Sequence, residues 1–475
     1  MVKPQYPQGE DVVRLSTLDQ QAQRSYAYAL LPLRLAPDSR VDAAVSSLKL
    51  GLSMALCEMP EMASTVVPLP GSSRNELELR IGPDSGVPLR VVDHDAMEQS
   101  PLKGLTFEEL AEEKFPMDDL PRDALFVPHP TCEDPSPDGL PVLLLQLNLI
   151  EGGILIGLIW HHTACDARGV DLLLSAWARH TKTVTLRGTH DPDALEEPAE
   201  QVRERWRLEH GSRDITLDQF PDYIVDSAAR SPLSPSSQHL LDRTDPVAVT
   251  ARMSTWYFSD EALKAMRKAL NGANTDEGAH ITRSEAVSAL LWKHVSQARQ
   301  LPPQATSLFA TRIDFRARFK SPFNDGFVGN INEPNARTRI PVREVCSAST
   351  PQSLATLALV IRDAITALDD KAVHDFIGLV DSLPAVTDLT WGYDTWPGPD
   401  LVVSDMSGME ALKQDWGTAL GHLECMRSFS QEKGLAYVLP MDRDGGFEAQ
   451  IQCDEEALER LKRDEVFTRY AQFLC

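Results

Sequence analysis

The sequence predicts an α/β protein of two domains, and three observations predict it. The segment Val142–Trp160 (VLLLQLNLIEGGILIGLIW) reads as two apolar strands joined by a tight Glu-Gly-Gly turn, with a helix-like run over Val170–Trp177 close behind. Strand-like and helix-like runs keep alternating through the rest of the chain. The 475 residues exceed what one hydrophobic core supports, which makes two domains the default.

Taken in order, residues 43–59 (AAVSSLKLGLSMALCEM) and 170–180 carry apolar side chains at helical spacing. From about 186 to 250 the chain turns rich in proline, serine and charge, with a helix-like charged insert at Val202–Glu209. That stretch reads as a crossover linker between a first domain over 1–185 and a second over 251–475. In the second domain Ser254–Phe258 (STWYF) is strand-like, Asp260–Leu270 helical, Ser284–Gln300 a long helix and Leu354–Leu368 another. Leu401–Ser404, Leu435–Pro440 and Glu448–Cys453 read as strands, and Asp454–Leu474 as an amphipathic helix. No internal repeat is visible.

Composition narrows the function classes. A hydrophobic share of 42% and a charged share of 24% are ordinary for a globular enzyme. No apolar run approaches the length of a bilayer span, and the N-terminus lacks the apolar core of a secretory signal, so a cytoplasmic location is expected. The seven cysteines are scattered without CxxC pairs, which favours reduced thiols over a disulfide framework or a zinc site, and no metal is expected. A net charge of −24 argues against nucleic acid or an anionic membrane as partner. Local charge differs: Arg312, Arg316, Arg318, Lys320, Arg337 and Arg339 form a basic stretch, of which Lys320, Arg337 and Arg339 read as solvated surface charges.

The chemistry-bearing segment is His161-His162-Thr163-Ala164-Cys165-Asp166, at the end of the second apolar strand. A histidine there suits a general base because its ordinary pKa lies near neutrality. Asp166, four residues after His162, is spaced as an orienting carboxylate would be on one helical turn. Cys165 reads as a small buried side chain, Trp160 and Trp292 as core, and His294 as a structural helix residue. His374 and His422 belong to no motif.

The block resembles the HHxxxD signature of the BAHD superfamily of acyl-CoA-dependent acyltransferases, particularly its fungal branch of trichothecene 3-O-acetyltransferase type. Leu15-Ser16-Thr17-Leu18-Asp19-Gln20 is similar to the family's opening LSPLDQ. Ile281-Thr282-Arg283-Ser284-Glu285-Ala286 is similar to the start of its long central helix. Asp314-Phe315-Arg316-Ala317-Arg318 with Phe327-Val328-Gly329-Asn330 resembles its DxRxR … YFGN pair. Asp415-Trp416-Gly417-Thr418-Ala419-Leu420-Gly421 stands where relatives carry DFGWG or DFGxxLG. The blocks come in the family's order.

The resemblance implies two similar α/β sandwich domains of chloramphenicol acetyltransferase type, with mixed sheets and an active-site channel at their interface. It implies a monomer with no permanent cofactor, acyl-CoA (acetyl-CoA by analogy) as co-substrate and a small-molecule acceptor. His162 would accept the acceptor's proton and return it to the departing CoA thiolate in a ternary complex. Asp166 would turn from the pocket to pair with Arg316, and Asp415 would be structural. Thr282, Arg283 and Ser284 either cradle CoA phosphates at a helix N-terminus or form a plain N-cap.

Departures matter too. Ala167 replaces the glycine after the motif, and Met59-Pro60-Glu61-Met62-Ala63-Ser64-Thr65 lacks the glycine and arginine of FPxxAGR. The plant tryptophan of FGWG has no counterpart, so an oxyanion donor falls to a backbone N–H or to the hydroxyl of Ser404 or Thr418. Two further classes stay open: a condensation-type or cyclising enzyme using a carrier-bound thioester, and an idle relative serving as an interaction protein.

Overall fold

The computed structural model describes residues 1–6, 9–130, 138–187, 203–226, 251–274, 280–395, 398–429 and 434–475. Much of the 186–250 linker, including Val202, and Cys132 lie outside the described residues.

The apolar segment that opens the functional reading forms a hairpin, Leu143–Ile150 antiparallel to Gly153–His161. Gly152 supplies the positive φ of +80° that the turn needs. Both strands are buried on both faces because both faces are covered, and the two amide side chains, Gln146 and Asn148, donate to the Ala124 and Leu125 carbonyls. Ala29, Leu31, Leu145, Leu147, Ile156 and Leu158 pack under the helices Val41–Glu58 and Ala167–Arg187. Leu30, Leu144, Leu155 and Ile159 pack instead against Phe107, Leu110, Leu125 and Phe126. A Cβ at Gly157 would come within 2.2 Å of the Leu125 carbonyl, so the second layer sits directly on the strand there.

The hairpin is the centre of a five-stranded mixed sheet. Tyr26–Arg34 pairs antiparallel with Gly153–His161, and Leu89–Asp93 pairs parallel with Leu143–Ile150. The remaining edge is Arg427–Ser428, from far along the chain, paired to Leu30 and Ala29. Four short strands (Asp11–Arg14, Thr65–Pro68, Leu77–Ile81 and Leu140–Pro141) make a separate sheet beside it.

The second half holds a seven-stranded mixed sheet. In spatial order it runs Ala336–Pro341, Thr306–Thr311, Leu401–Asp405, Leu435–Val438, Phe447–Asp454, Ala251–Phe258 and Gln472–Phe473. The helices Asp260–Ala273, Arg283–Ala298, Pro351–Thr366 and Glu455–Lys462 bury Leu263, Leu290, Leu354 and Leu458 against one face of it. The α/β class with mixed sheets is therefore the one predicted.

Particular elements differ from expectation. The terminal helix stops at Lys462 instead of running to Leu474. Asp464 turns the chain by accepting from the N–H groups of Val466 and Phe467, and Gln472–Phe473 then returns to the sheet edge beside Trp256 and Tyr257. The charged insert at 202–209 is a single 3-10 turn, Arg205–Leu208. Asp370–Asp381 is an unpredicted helix capped by Asp369, whose side chain accepts from the N–H of Ala372. Residues 409–426 of the second half supply Met409, Leu412, Trp416, Leu420 and Leu423 to the first half's core.

Candidate active site

The strand Gly153–His161 is buried at every position and releases the chain into the motif loop at its end. The backbone N–H of His161 donates to the Val142 carbonyl at 2.8 Å, and that of His162 to the Ser25 carbonyl at 3.0 Å. Loop geometry is thus set before any side chain acts. The His161 ring is fully buried, edge-on to Tyr26 at 5.2 Å. Burial, then the charge of Arg24, pushes its pKa down to about 3.

His162 keeps part of its surface open. Dense surroundings, followed by the charge of Arg312, lower its pKa to about 4, although Asp166 and Asn330 pull the other way. Its Nδ1 is buried without a hydrogen-bond partner among the described residues. At neutral pH the ring is uncharged and able to take a proton.

Asp166 faces elsewhere. Arg316 grips it bidentately, Nη1 to Oδ2 and Nη2 to Oδ1, each at 3.0 Å. The N–H groups of Gly169 and Ile331 donate to the same carboxylate at 3.1 and 3.2 Å. Burial pushes this carboxyl up, but Arg316 and the two N–H groups outweigh it and hold the group below the usual carboxylate range. With four donors on its two oxygens, none from His162, Asp166 is built into the loop and not into a dyad. The neighbouring Cys165 thiol is buried under Gly169, and burial drives its pKa far up, so it stays a protonated thiol.

A second buried set holds the loop from behind. The Nδ2 of Asn330 donates to the His162 carbonyl at 3.0 Å and to Asp19 Oδ1 at 2.9 Å. Asp19 Oδ2 also accepts from Arg205 Nε at 2.8 Å, while Arg205 Nη2 donates to the Ala164 carbonyl at 3.0 Å and Nη1 pairs with Glu61. Burial raises Glu61 above the carboxylate range, with Arg205 pulling it back. Four distant chain segments therefore converge on six residues of loop. Arg205 and Glu61 escaped the sequence reading. Arg205 sits in the stretch read as linker, where buried Leu208, Phe220 and Tyr223 mark packing alone.

The profile of the Transferase family matches residues 1–468. The chain is 51% identical to acyltransferase easC of Emericella nidulans, over 99% of this chain and 97% of that one. It is 53% identical to acyltransferase cm3D of Cordyceps militaris, over 98% and 97% respectively. The chain belongs to the Transferase family, of BAHD type. Among solved structures, TRI101 of F. graminearum complexed with coenzyme A and T-2 mycotoxin shares the fold with a TM-score of 0.75 at 19% identity, covering 98% of this chain and 100% of that one. Vinorine synthase shares it with a TM-score of 0.60 at 17% identity, covering 96% of each chain.

The remaining family motifs fall into two groups. Asp415 lies half-exposed in a surface turn, paired with Lys182 at 2.8 Å and accepting from the Gly417 N–H at 2.9 Å. Trp416 is buried against Trp177 at 5.2 Å and Thr418 is exposed, so this block caps the first core. Thr282 is the N-cap of the central helix, in a reciprocal capping box with Glu285. Arg283 pairs with Asp260 at 2.8 Å, and the Ser284 hydroxyl donates to Asp405, the residue after Ser404. The plain N-cap is thus the alternative seen, and two carboxylates, Asp260 and Asp405, engage the side chains that the cradle alternative would turn to a phosphate. Trp292 is buried with its Nε1 on Ser307, and His294 is buried with Nδ1 2.5 Å from Asp464. Trp160, too, is buried.

The basic stretch disperses in space. Arg318 donates to the Ile365 and Leu368 carbonyls, Arg339 and Arg337 share Asp222, and Lys320 is solvated. Arg312 alone of the six has no ion pair or hydrogen bond among the described residues, and it stacks on Trp391 with its Cζ 4.6 Å from the ring centroid.

Proposed function

We propose that this protein transfers an acyl group, acetyl by default, from acyl-CoA to a hydroxyl or amine of a specialised metabolite. His162 Nε2 takes the acceptor's proton as its oxygen or nitrogen attacks the thioester carbonyl. The tetrahedral intermediate collapses with cleavage of the C–S bond, and the imidazolium returns the proton to the CoA thiolate. Neither a covalent enzyme intermediate nor a resident cofactor is required, and acyl-CoA and the acceptor would meet in a channel between the two halves.

One observation carries the reading: an uncharged, partly exposed His162 whose backbone is fixed from both halves of the chain while its neighbouring carboxylate is engaged by Arg316. A base so placed contributes about 10²–10⁴-fold in rate. The curated relatives bear the name acyltransferase, and the TRI101 structure holds coenzyme A, which supports the donor class. The test is free-thiol release from acetyl-CoA and longer acyl-CoAs against panels of alcohols and amines, with CoA affinity read by calorimetry. Acceptor-dependent release with CoA bound is expected. Turnover only with a carrier-bound thioester would replace the proposal with the condensation-type reading. Neither CoA binding nor turnover would leave the idle interaction protein.

A further inference from the structure

Asn330 closes the segment Phe327-Val328-Gly329-Asn330 and is fully buried behind the motif loop. It is held at its backbone: the Gly329 carbonyl accepts from Arg316 Nη2 at 2.7 Å, and the Asn330 N–H donates to Asp19 Oδ1 at 2.8 Å. Its side-chain Nδ2 meets three acceptors, Asp19 Oδ1 at 2.9 Å and the His162 and Thr163 carbonyls at 3.0 and 3.3 Å. Three acceptors around one atom identify it as the nitrogen, so the orientation of the amide is fixed and Oδ1 can only accept. That oxygen is buried and has no hydrogen bond among the described residues.

His162 carries the matching gap. Its Nδ1 is also buried without a partner, on the residue whose carbonyl lies 3.0 Å from the same amide. A neutral imidazole holds one proton, on Nδ1 or on Nε2. On Nε2 it leaves two buried acceptors, Nδ1 and Asn330 Oδ1, both without a donor, which is unfavourable. On Nδ1 it satisfies both at once. Asp166 is engaged elsewhere, by Arg316 and the Gly169 and Ile331 N–H groups. An amide oxygen, moreover, orients the ring without adding a second buried charge beside it. Asn330 also pulls the His162 pKa upward, as an acceptor on a ring N–H does. We propose that Asn330 is the positioning residue of His162: its amide oxygen accepts the Nδ1–H and so leaves the Nε2 lone pair as the base. The proposal deepens the acyltransferase reading and rests on it for the reaction that Nε2 performs.

The test begins with NMR of the parent protein at neutral pH, isotopically labelled at the histidine nitrogens, with the His162 signals assigned by their loss in His162→Gln. A proton on Nδ1 is expected. Asn330→Ala should let the two tautomers mix and lower kcat about tenfold, while the KM for acyl-CoA stays within about twofold. Thr163 Oγ1 is a second buried group beside this amide without a partner among the described residues, so Thr163→Val is the control and should leave the tautomer unchanged. A proton on Nε2 in the parent, an unchanged tautomer in folded Asn330→Ala, or a tautomer lost in folded Thr163→Val overturns the proposal. If circular dichroism shows Asn330→Ala unfolded, a crystal structure of the parent decides: Nδ1 and Asn330 Oδ1 within hydrogen-bond distance support the proposal, and a separation beyond about 3.5 Å overturns it. The tautomer is read without turnover, so a parent that releases no CoA thiol counts against the acyltransferase reading and not against Asn330.

Discussion

His162 and Asp166 stand four positions apart, and what each side chain can do is decided by its surroundings. Asp166 has its charge matched by Arg316 inside the protein, and although Arg316 also pairs with Asp314 at 3.0 Å, losing Asp166 removes its one bidentate, buried partner. Asp166→Ala is expected to lower unfolding free energy by about 3–5 kcal/mol, measured by denaturant titration, with activity lost as a consequence. A stable Asp166→Ala protein lacking only activity would revive the dyad. His161 and His162 are held neutral instead of charged, and their folded pKa values of about 3 and about 4 lie below the ordinary 6.5. As pH falls below 6.5 the unfolded chain binds protons that the folded one refuses. Stability conferred by keeping the rings neutral is therefore full above 6.5 and declines down to about 4 for His162 and about 3 for His161. The acid limb of kcat/KM should likewise lie well under 6.5; a limb at 6.5 or higher would contradict the burial assigned to His162.

Elements carry the next set of consequences. The central helix begins at a capping box, so Thr282→Ala should cost about 1 kcal/mol of stability, read from thermal unfolding, and leave the KM for acyl-CoA in place. A raised KM at unchanged stability would restore the phosphate cradle. The helices Val41–Glu58 and Ala167–Arg187 touch at Gly51, where an added Cβ would sit 2.2 Å from Thr181 Oγ1. Gly51→Val should therefore destabilise by a few kcal/mol, as overpacking does. These elements were legible because their apolar periodicity is strong. Tyr26–Arg34 was not, since Pro32 interrupts an otherwise strand-like run; the proline is tolerated near the sheet edge, where its carbonyl accepts from the Glu424 N–H at 2.9 Å. The terminal helix was overdrawn because its amphipathic pattern outlasts the turn that Asp464 imposes.

The whole molecule is less divisible than its linker-like composition implies. Residues 409–426 complete the first core, Arg427–Ser428 extends the first sheet, and buried Arg427 then pairs with Glu448 of the second. A fragment ending at residue 185 also lacks Arg205 and Asn330, which brace the His162 loop. Expressed alone it is expected to aggregate or stay unfolded by circular dichroism; a soluble, cooperatively unfolding fragment would contradict this interlock. The site followed the same division of legibility. Motif residues announced themselves because their types and spacing are unusual. Arg205 and Glu61 did not, because a buried charge is recognisable only once its partner, here more than a hundred positions away, is brought beside it.

The most direct measurement is the rate of CoA-thiol release from acyl-CoA by His162→Ala, set against the parent protein at equal CoA occupancy. A fall of about 10²-fold or more, with CoA affinity and melting temperature retained, is the predicted result. Release at the parental rate from a folded, CoA-bound His162→Ala protein would remove His162 as the base.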